Sequence, residues 1–378
     1  MKLKLAGILA VLFWATICFG QSQTPAPVDS QKAAFDKIWK FADLYKNEKN
    51  DVIQRLQFTG RFQYEYANVD ADQGSHHEWN VRRLRAGAKA KLFRTITLHS
   101  EVELNPQERN PVYLRFTDLY LMWSRNAELE LTIGKQGVPF TMDGATSSKE
   151  LLTIDRSNLS NNMWFPQEYL PGISVAGELS KWVYHAGVYS AGRANRELGE
   201  FDGGVSTLVV AGYNFAESLD VDDALLTANY VYQDPHRNNT FTRRLQHVVS
   251  GNFKFAAKKW GVRADVSSAS GYMGQSDLWG VMIMPFVNVI TPKLQIVGRY
   301  TYLKSEKPNG VLLASYENRA VAGRGDRYNE GYIGANYYFY GHKLKLQSGL
   351  QFADMNDIAN DRGAYSGVSW TTGLRVSW

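Results

Sequence analysis

The chain has 378 residues and a formal net charge of +5 at pH 7, an excess too small to indicate nucleic-acid binding by itself. Aromatic residues make up 13% and glycine contributes 32 residues, yet the mean hydropathy is only −0.34. This combination argues against membrane-spanning helices and favours a large sheet whose strands are wet on one side.

The first twenty residues have the pattern of a secretory signal peptide. Lys2 and Lys4 precede an apolar run over residues 5–19, which is shorter than the ~20 residues that a spanning helix needs. A retained membrane anchor is the alternative. Cys18 is the only cysteine, so cleavage before Gln21 would leave a mature chain without disulfides, held together by hydrogen bonds and packing.

Residues 21–51 are predicted to form a periplasmic helical segment. From Asp29 to about Asn50, apolar residues recur at three- and four-residue spacing, which predicts an amphipathic helix of about five turns. The helix would pack on this protein or its symmetry mates, or alternatively lie on a membrane surface. Acidic residues on its polar face favour the first interpretation.

From Val52 to Trp378 the hydrophobic period is two, which predicts strands with one oily and one ionised face. Each segment is long enough for a tilted membrane-spanning strand. We predict sixteen strands, near residues 52–67, 79–93, 95–105, 112–124, 127–136, 172–179, 182–191, 205–215, 224–233, 244–257, 259–268, 277–289, 293–303, 328–340, 342–353 and 366–378.

The connections between these segments alternate in length. Tight turns alternate with long connections at residues 68–78, 137–171, 192–204 and 304–327, as in an up-and-down antiparallel sheet with one smooth end. Closing that sheet into a barrel in a membrane removes its edges and places its oily face in lipid. A soluble sandwich or propeller is the alternative, but no constant-spacing repeat is visible.

Aromatic residues flank the tight turns, where membrane interfaces favour them. We therefore predict an aromatic ring at the smooth, periplasmic end, formed by Phe93, Trp123, Trp182, Trp260, Phe339 and Trp378.

The wet faces carry more basic than acidic side chains, which predicts a water-filled lumen that attracts anions. Ion pairs that cancel these charges are the alternative. The acidic residues are Glu65, Glu101, Glu103, Glu130, Asp265 and Glu330, and Lys254, Lys343 and Lys345 add to the basic set. The 137–171 loop is predicted to fold into the lumen, where it would add Lys149 and Arg156; the alternative is that it remains outside. The predicted pore-lining residues are Arg55, Arg61, Arg83, Arg85, Lys89, Lys91, Lys149, Arg156, Arg263, Arg299 and Arg375.

No catalytic, cofactor or metal motif stands out in the sequence. We find no H-E-x-x-H, G-x-S-x-G or phosphate-loop pattern, and His76-His77-Glu78 lies in a predicted outer loop without further ligands at useful spacing. The sequence therefore predicts no enzyme, no cofactor and no metal site.

Three stretches resemble the phosphate-selective porins O and P of Gram-negative outer membranes: VRRLRAGAKAKL at 81–92, RFTDLYLMW at 115–123 and LTIGKQGVPFTMDGATSSKELLTIDRS at 131–157. The resemblance implies a sixteen-stranded barrel, usually trimeric, with inward-folded loops and a basic pore for anions. The family often has a basic residue after the proline that closes the third loop, whereas residues 170–173 here read Leu-Pro-Gly-Ile. Strict phosphate selectivity therefore does not follow.

These patterns predict an outer-membrane porin for passive diffusion of small anions, phosphate or polyphosphate-like. Alternatives are a non-selective porin, an adhesion protein anchored by its barrel, or an outer-membrane hydrolase. The predicted partners are outer-membrane lipid and lipopolysaccharide, small anions, further copies in a homotrimer, and the assembly machinery acting through the strand that ends in Trp378; no nucleic acid is expected.

Overall fold

A computed structural model describes residues 28–107, 110–163, 169–190, 203–239 and 242–378. The predicted signal peptide lies outside the described residues. Residues 1–40 and 41–378 belong to separate compact units. In the part of the chain that is described, no helix has the length and apolar character needed to cross a membrane.

The N-terminal helix is shorter than the sequence predicts. Helix α1 spans Val28–Trp39, a 3-10 turn spans Lys40–Ala42, and the chain then forms strand β1 (Asp43–Lys46). The prediction of helix to Asn50 was therefore wrong beyond residue 39. The reason is tertiary: β1 pairs its backbone with the first long strand, with Tyr45 opposite Leu56, and this pairing overrides a helical spacing of apolar residues.

Sixteen antiparallel strands form a closed barrel, because each pairs with its neighbour and the last pairs with the first. This confirms the predicted strand number and architecture. The strands are β2 Ile53–Ala71, β3 Gly74–Leu92, β4 Ile96–Leu104, β5 Tyr113–Asn126, β6 Leu129–Gly137, β7 Tyr169–Leu179, β8 Trp182–Ser190, β9 Val205–Asn214, β10 Asp223–Gln233, β11 Leu245–Ala257, β12 Trp260–Gly271, β13 Leu278–Ile290, β14 Leu294–Ser305, β17 Arg327–Tyr340, β18 Leu344–Asn356 and β19 Tyr365–Ser377.

The remaining elements lie between barrel strands. Strands β15 (Val311–Leu312) and β16 (Arg324–Gly325) form a separate small sheet. Four single-turn helices complete the described elements, namely α2 Met142–Ala145, α3 Asn158–Met163, α4 Ala216–Leu219 and α5 Glu317–Ala320.

The two faces of the barrel wall differ as the alternation predicts. On β2, the side chain of Glu65 points inward and is fully buried, whereas its neighbour Tyr64 points outward and is 38% exposed. Outward Phe62 and Tyr64 stack with ring centroids 6.2 Å apart. An apolar outer face and a polar inner face therefore exist on the same strand.

Tight turns and exposed aromatic rings occupy one end of the barrel. Phe93 and Arg94 both adopt left-handed backbone angles, φ 49° and 62°, which lets the chain reverse between β3 and β4. Trp378 stacks on Phe58 with ring centroids 5.7 Å apart. Exposed aromatic side chains lie beside these turns as predicted, namely Phe93, Trp123, Trp182, Trp260 and Phe339.

The predicted loop at residues 68–78 is instead a continuation of β2 and β3. The two strands pair up to Ala71 opposite Gly74, leaving a turn of two residues. The prediction of a loop was wrong because it was based on the turn-forming residues of this stretch. Inward-facing Ala67 and Val69 are fully buried in the lumenal hydrophobic cluster, and this packing keeps the stretch extended.

Two long connections fold into the lumen over their described residues, and we name them loop 3 (residues 138–163) and loop 7 (residues 306–326). Phe140 and Leu159 of loop 3 and Val311 of loop 7 are buried in one hydrophobic cluster with inward-facing Met282 and Met284 of β13. Strand β13 is therefore apolar on both faces. The expectation that loop 3 folds inward is confirmed over its described part.

Adjacent residues of β9 provide a test of which face meets lipid. Val209 is 50% exposed on the outer face, and Val210 faces a lumenal cavity. We expect Val209→Arg to lower the free energy of unfolding by about 2–4 kcal/mol, because a buried charge near mid-bilayer is costly. Val210→Arg, the matched control, should change it little. Denaturant titration of the barrel in phospholipid vesicles measures both, and equal losses would contradict the assignment of faces.

Candidate functional site

Loop 3 is held against one side of the barrel by hydrogen bonds from wall side chains to its backbone. Lys345 Nζ donates to the Leu151 carbonyl at 2.6 Å, and Asn336 Nδ2 donates to the Leu152 carbonyl at 2.8 Å. Arg375 Nη2 lies 3.3 Å from the Ile154 carbonyl. These donors come from β17, β18 and β19, so consecutive strands grip one stretch of the loop.

Further anchors hold the part of the loop that precedes this stretch. Arg61 Nη1 of β2 donates to Ser148 Oγ at 2.6 Å, and Gln63 Nε2 donates to the Ser148 carbonyl at 2.9 Å. Nearer the start of the loop, Asp265 Oδ2 of β12 accepts the Met142 N–H at 2.9 Å. The loop is therefore fixed at several points and narrows the lumen.

Loop 7 begins at the same end of the barrel as loop 3 and packs on it. Asn162 of loop 3 donates to the Leu312 carbonyl and accepts the Leu312 N–H, both at 2.9 Å. Glu317 of loop 7 is buried, and its Oε1 accepts hydrogen bonds from Ser369 and Gln351 at 2.5 and 2.9 Å. Burial raises the pKa of Glu317 to about 7, so this carboxyl is roughly half protonated at neutral pH.

Several of the predicted pore-lining arginines are engaged in ion pairs with acidic residues of the wall. The alternative that ion pairs cancel the lumenal charges therefore holds for part of the predicted basic residues. The pairs are Arg61–Glu101 at 2.9 Å, Arg85–Glu103 at 3.0 Å, Arg299–Glu330 at 2.6 Å, Arg55–Asp43 at 2.8 Å, and Arg375 with Glu65.

Two adjoining cavities lie between loop 3 and the barrel wall. One of about 470 Å³ borders β2 to β8, and one of about 350 Å³ borders β8 to β12. Both are lined by Pro139, residues 145–147 and His185, and we refer to the two cavities together as the path past the loop. The charged lining residues are Arg61, Lys89, Lys149, Arg156, Glu101 and Asp118 in the first cavity and Lys254, Arg263 and Glu150 in the second.

Some predicted cations along this path have no acidic partner. Within the described residues, Lys89 takes part in no ion pair and Arg263 Nε and Nη1 have no hydrogen-bond partner, whereas Lys91 lies outside both cavities. Lys149 Nζ donates to the Trp378 carbonyl oxygen at 3.1 Å. Burial lowers the pKa of Lys149 to about 8, which still leaves it mostly protonated at pH 7.

Arg82 is a charged residue of the lumen that the sequence analysis missed. Strict alternation places Arg82 on the outer face, but β3 has a bulge at this point, because Gln63 pairs with Arg83 and Tyr64 pairs with Val81. The bulge turns Arg82 inward, where its Nε lies 3.6 Å from Asp155. Together with Arg83 and Arg156, Arg82 lines a cavity of about 90 Å³ beside loop 3.

Two other predicted pore-lining residues donate hydrogen bonds to neutral oxygen atoms. Arg83 Nη1 donates to Gln63 Oε1 at 3.0 Å. Arg156 donates from Nε to the Asp143 carbonyl at 2.8 Å and from Nη2 to the Thr146 carbonyl at 3.1 Å, which cross-links loop 3 internally.

Comparisons with known proteins agree on one class of protein, the outer-membrane channels. Residues 56–258, more than half of the chain, match the family model "Phosphate-selective porin O and P". No curated protein matches the chain by sequence. Among solved structures, the outer membrane channel DcaP of Acinetobacter baumannii has a TM-score of 0.59 at 12% identity, over 89% of this chain and all of that one.

Two further porin structures share the fold at low sequence identity. The anion-selective porin from Comamonas acidovorans has a TM-score of 0.58 at 12% identity, over 85% of this chain and 99% of that one. OmpT of Vibrio cholerae in its trimer form has a TM-score of 0.53 at 14% identity, with the same coverage of the two chains. At these identities the likeness is one of fold.

Two ion pairs of different burial allow a matched test of the wall. The Arg299 and Glu330 side chains are 2% and 1% exposed, whereas those of Arg55 and Asp43 are 42% and 45% exposed. We expect Arg299→Met to cost about 3–5 kcal/mol, because it leaves a buried carboxylate without its partner. Arg55→Met should cost less than about 1 kcal/mol. Guanidinium unfolding in lipid measures both variants, and similar losses would refute the structural role of the buried pair.

Proposed function

Because this chain belongs to the phosphate-selective porin O and P family, we propose that its outer-membrane channel conducts small anionic solutes by passive diffusion. The solutes would be phosphate or polyphosphate-like anions, of which the family description names phosphate. No catalytic step is part of this proposal. The anion-selective porin from Comamonas acidovorans, which shares the fold, is consistent with it.

The balance of charge along the open path is the observation that carries the proposal. Its two cavities are lined by six lysine and arginine side chains against three carboxylates. Lys89 and Arg263 add positive potential that no ion pair within the described residues cancels. Between walls of low dielectric constant, such charges raise the local concentration of anions and lower that of cations.

The predicted basic residues divide into two roles under this proposal. Arg61, Arg299 and Arg375 hold loop 3 and pair with wall carboxylates, so they shape the constriction. Arg55 and Arg85 are also paired with carboxylates, those of Asp43 and Glu103, so they add little net field. The others act mainly through the field that they add to the lumen, namely Arg83, Lys89, Lys91, Lys149, Arg156 and Arg263.

We also propose that the chain works as a homotrimer, as OmpT does in its trimer form. A depression of about 410 Å³ on the outer wall, lined by small and apolar side chains of β3 to β6 such as Ala88, Ala90 and Leu119, is the surface proposed for the contact. Native mass spectrometry in detergent should find three copies, and a monomer at all concentrations would oppose this arrangement. Lipopolysaccharide and the assembly machinery acting on β19 are the other proposed partners.

Removing two path cations tests the anion preference. In a potassium chloride gradient across a planar bilayer, the wild-type reversal potential should show chloride carrying more current than potassium. Lys89→Gln combined with Lys149→Gln should lower the chloride-to-potassium permeability ratio about twofold or more, because the path loses two of its six cations.

The control for this measurement is Lys304→Gln, since Lys304 is an exposed residue of β14 outside both cavities. The control should keep the wild-type ratio. A cation-selective wild type would reject the proposed function, whereas an unchanged ratio in the double variant would reject only these two residues as its source.

A further inference from the structure

The cavity of about 350 Å³ beside β8 to β12 has a lining of mixed chemistry. Its volume is in the range of small-molecule sites, about 300–1,000 Å³. We group its side chains into a polar wall, Thr227, Asn229, Asn252, Lys254 and Arg263, and an apolar wall, Pro139, Met142, Val183, Val210 and Leu225, which adjoin where Leu225 lies opposite Lys254. An inorganic ion would use only the first wall, whereas an organic anion can use both.

The polar wall contains hydrogen-bonding groups that the protein leaves unsatisfied. Neither Nε nor Nη1 of Arg263 has a partner among the described residues, and the same holds for Asn229 Oδ1. Buried polar groups normally have partners, since an unsatisfied one costs the free energy of its lost hydration. Two unused donors of one guanidinium beside an open cavity therefore indicate a ligand with oxygen acceptors.

The charges around this cavity favour a singly charged ligand. Arg263 lies opposite Lys254 in the register of β11 and β12, but Lys254 Nζ is already paired with Asp223. Glu150 adds a negative charge to the lining. The carboxylates of Asp143 and Glu150 act electrostatically on Arg263, so little positive charge remains in excess, which matches a monoanion better than a multiply charged phosphate.

A neighbouring histidine does not change this balance. Burial, reinforced by the nearby charges of Lys345 and Arg263, lowers the pKa of His342 to about 4. His342 is therefore neutral at physiological pH, and Arg263 remains the main unused source of positive charge for a ligand.

We propose that this cavity is a binding subsite for small organic monocarboxylates with an apolar body, such as aromatic or branched aliphatic acids. The carboxylate accepts hydrogen bonds from Arg263, and the body packs on Val210 and Leu225. A phosphate ion in the same position would place a strongly hydrated group against an apolar wall, which is unfavourable. The inference rests on the proposed anion channel and narrows its solutes.

Benzoate and inorganic phosphate are the probes for this subsite. Chloride current through the folded full-length barrel is measured in a planar bilayer while each probe is added. Benzoate should reduce the current saturably, with a half-blocking concentration at least about tenfold below that of phosphate. Arg263→Met should raise the value for benzoate about tenfold or more, because the carboxylate loses its charged donor.

Two further variants separate the contributions of the walls. Leu225→Asn should weaken the block by benzoate and leave that by phosphate unchanged, because it alters only the apolar wall. Lys304→Gln removes an exposed cation of β14 outside the cavity and should alter neither block.

The outcomes distinguish the subsite from the channel itself. Anion-selective current that benzoate does not block, or equal block by the two probes with Leu225→Asn affecting neither, overturns the subsite while the anion channel stands. Cation-selective current overturns the proposed function on which the subsite rests.

Discussion

The structure depends on the pairing of every strand with two neighbours. In hydrocarbon no water is present to bond a free N–H or C=O, so an open sheet edge would be prohibitively costly. The pairing of β19 with β2, from Gly367 opposite Ala71 to Ser377 opposite Arg61, removes the last edge. Once the ladder is closed, side chains are free to divide between a lipid face and a lumen, and the lumen becomes available for loops and solute.

The lumen then follows the rules of a polar protein interior. Buried arginines stay charged because carboxylates such as Glu330 and carbonyls of loop 3 accept their hydrogen bonds. Much of the basic charge therefore shapes the constriction and is unavailable for contact with a solute. The cations left over line the two cavities between the wall and loop 3. Selectivity would accordingly depend on a small number of side chains, with Lys89 and Arg263 among them.

The sequence predicted the strand number, the short turns and the inward face of most strands, because all three follow from local alternation and turn chemistry. It failed where distant contacts decide the outcome. The bulge that turns Arg82 inward depends on the pairing with β2, and the extension of β2 and β3 depends on burial of Ala67 and Val69. The apolar inner face of β13 is explained only by the loops that cover it. Which arginines form ion pairs also depends on the residues of neighbouring strands. The sequence of one strand does not specify those neighbours.

Loop 3 is attached to both strands that close the barrel. Arg61 and Gln63 of β2 hold Ser148, Arg375 of β19 holds the Ile154 carbonyl, and Lys149 reaches the terminal residue Trp378. The bore of the channel is thus finished only when the last strand has been inserted, although loop 3 is synthesised much earlier. Biogenesis and permeability are coupled by these few contacts, because an incomplete barrel would lack the constriction, and loop 3 in turn links the first and last strands of the barrel.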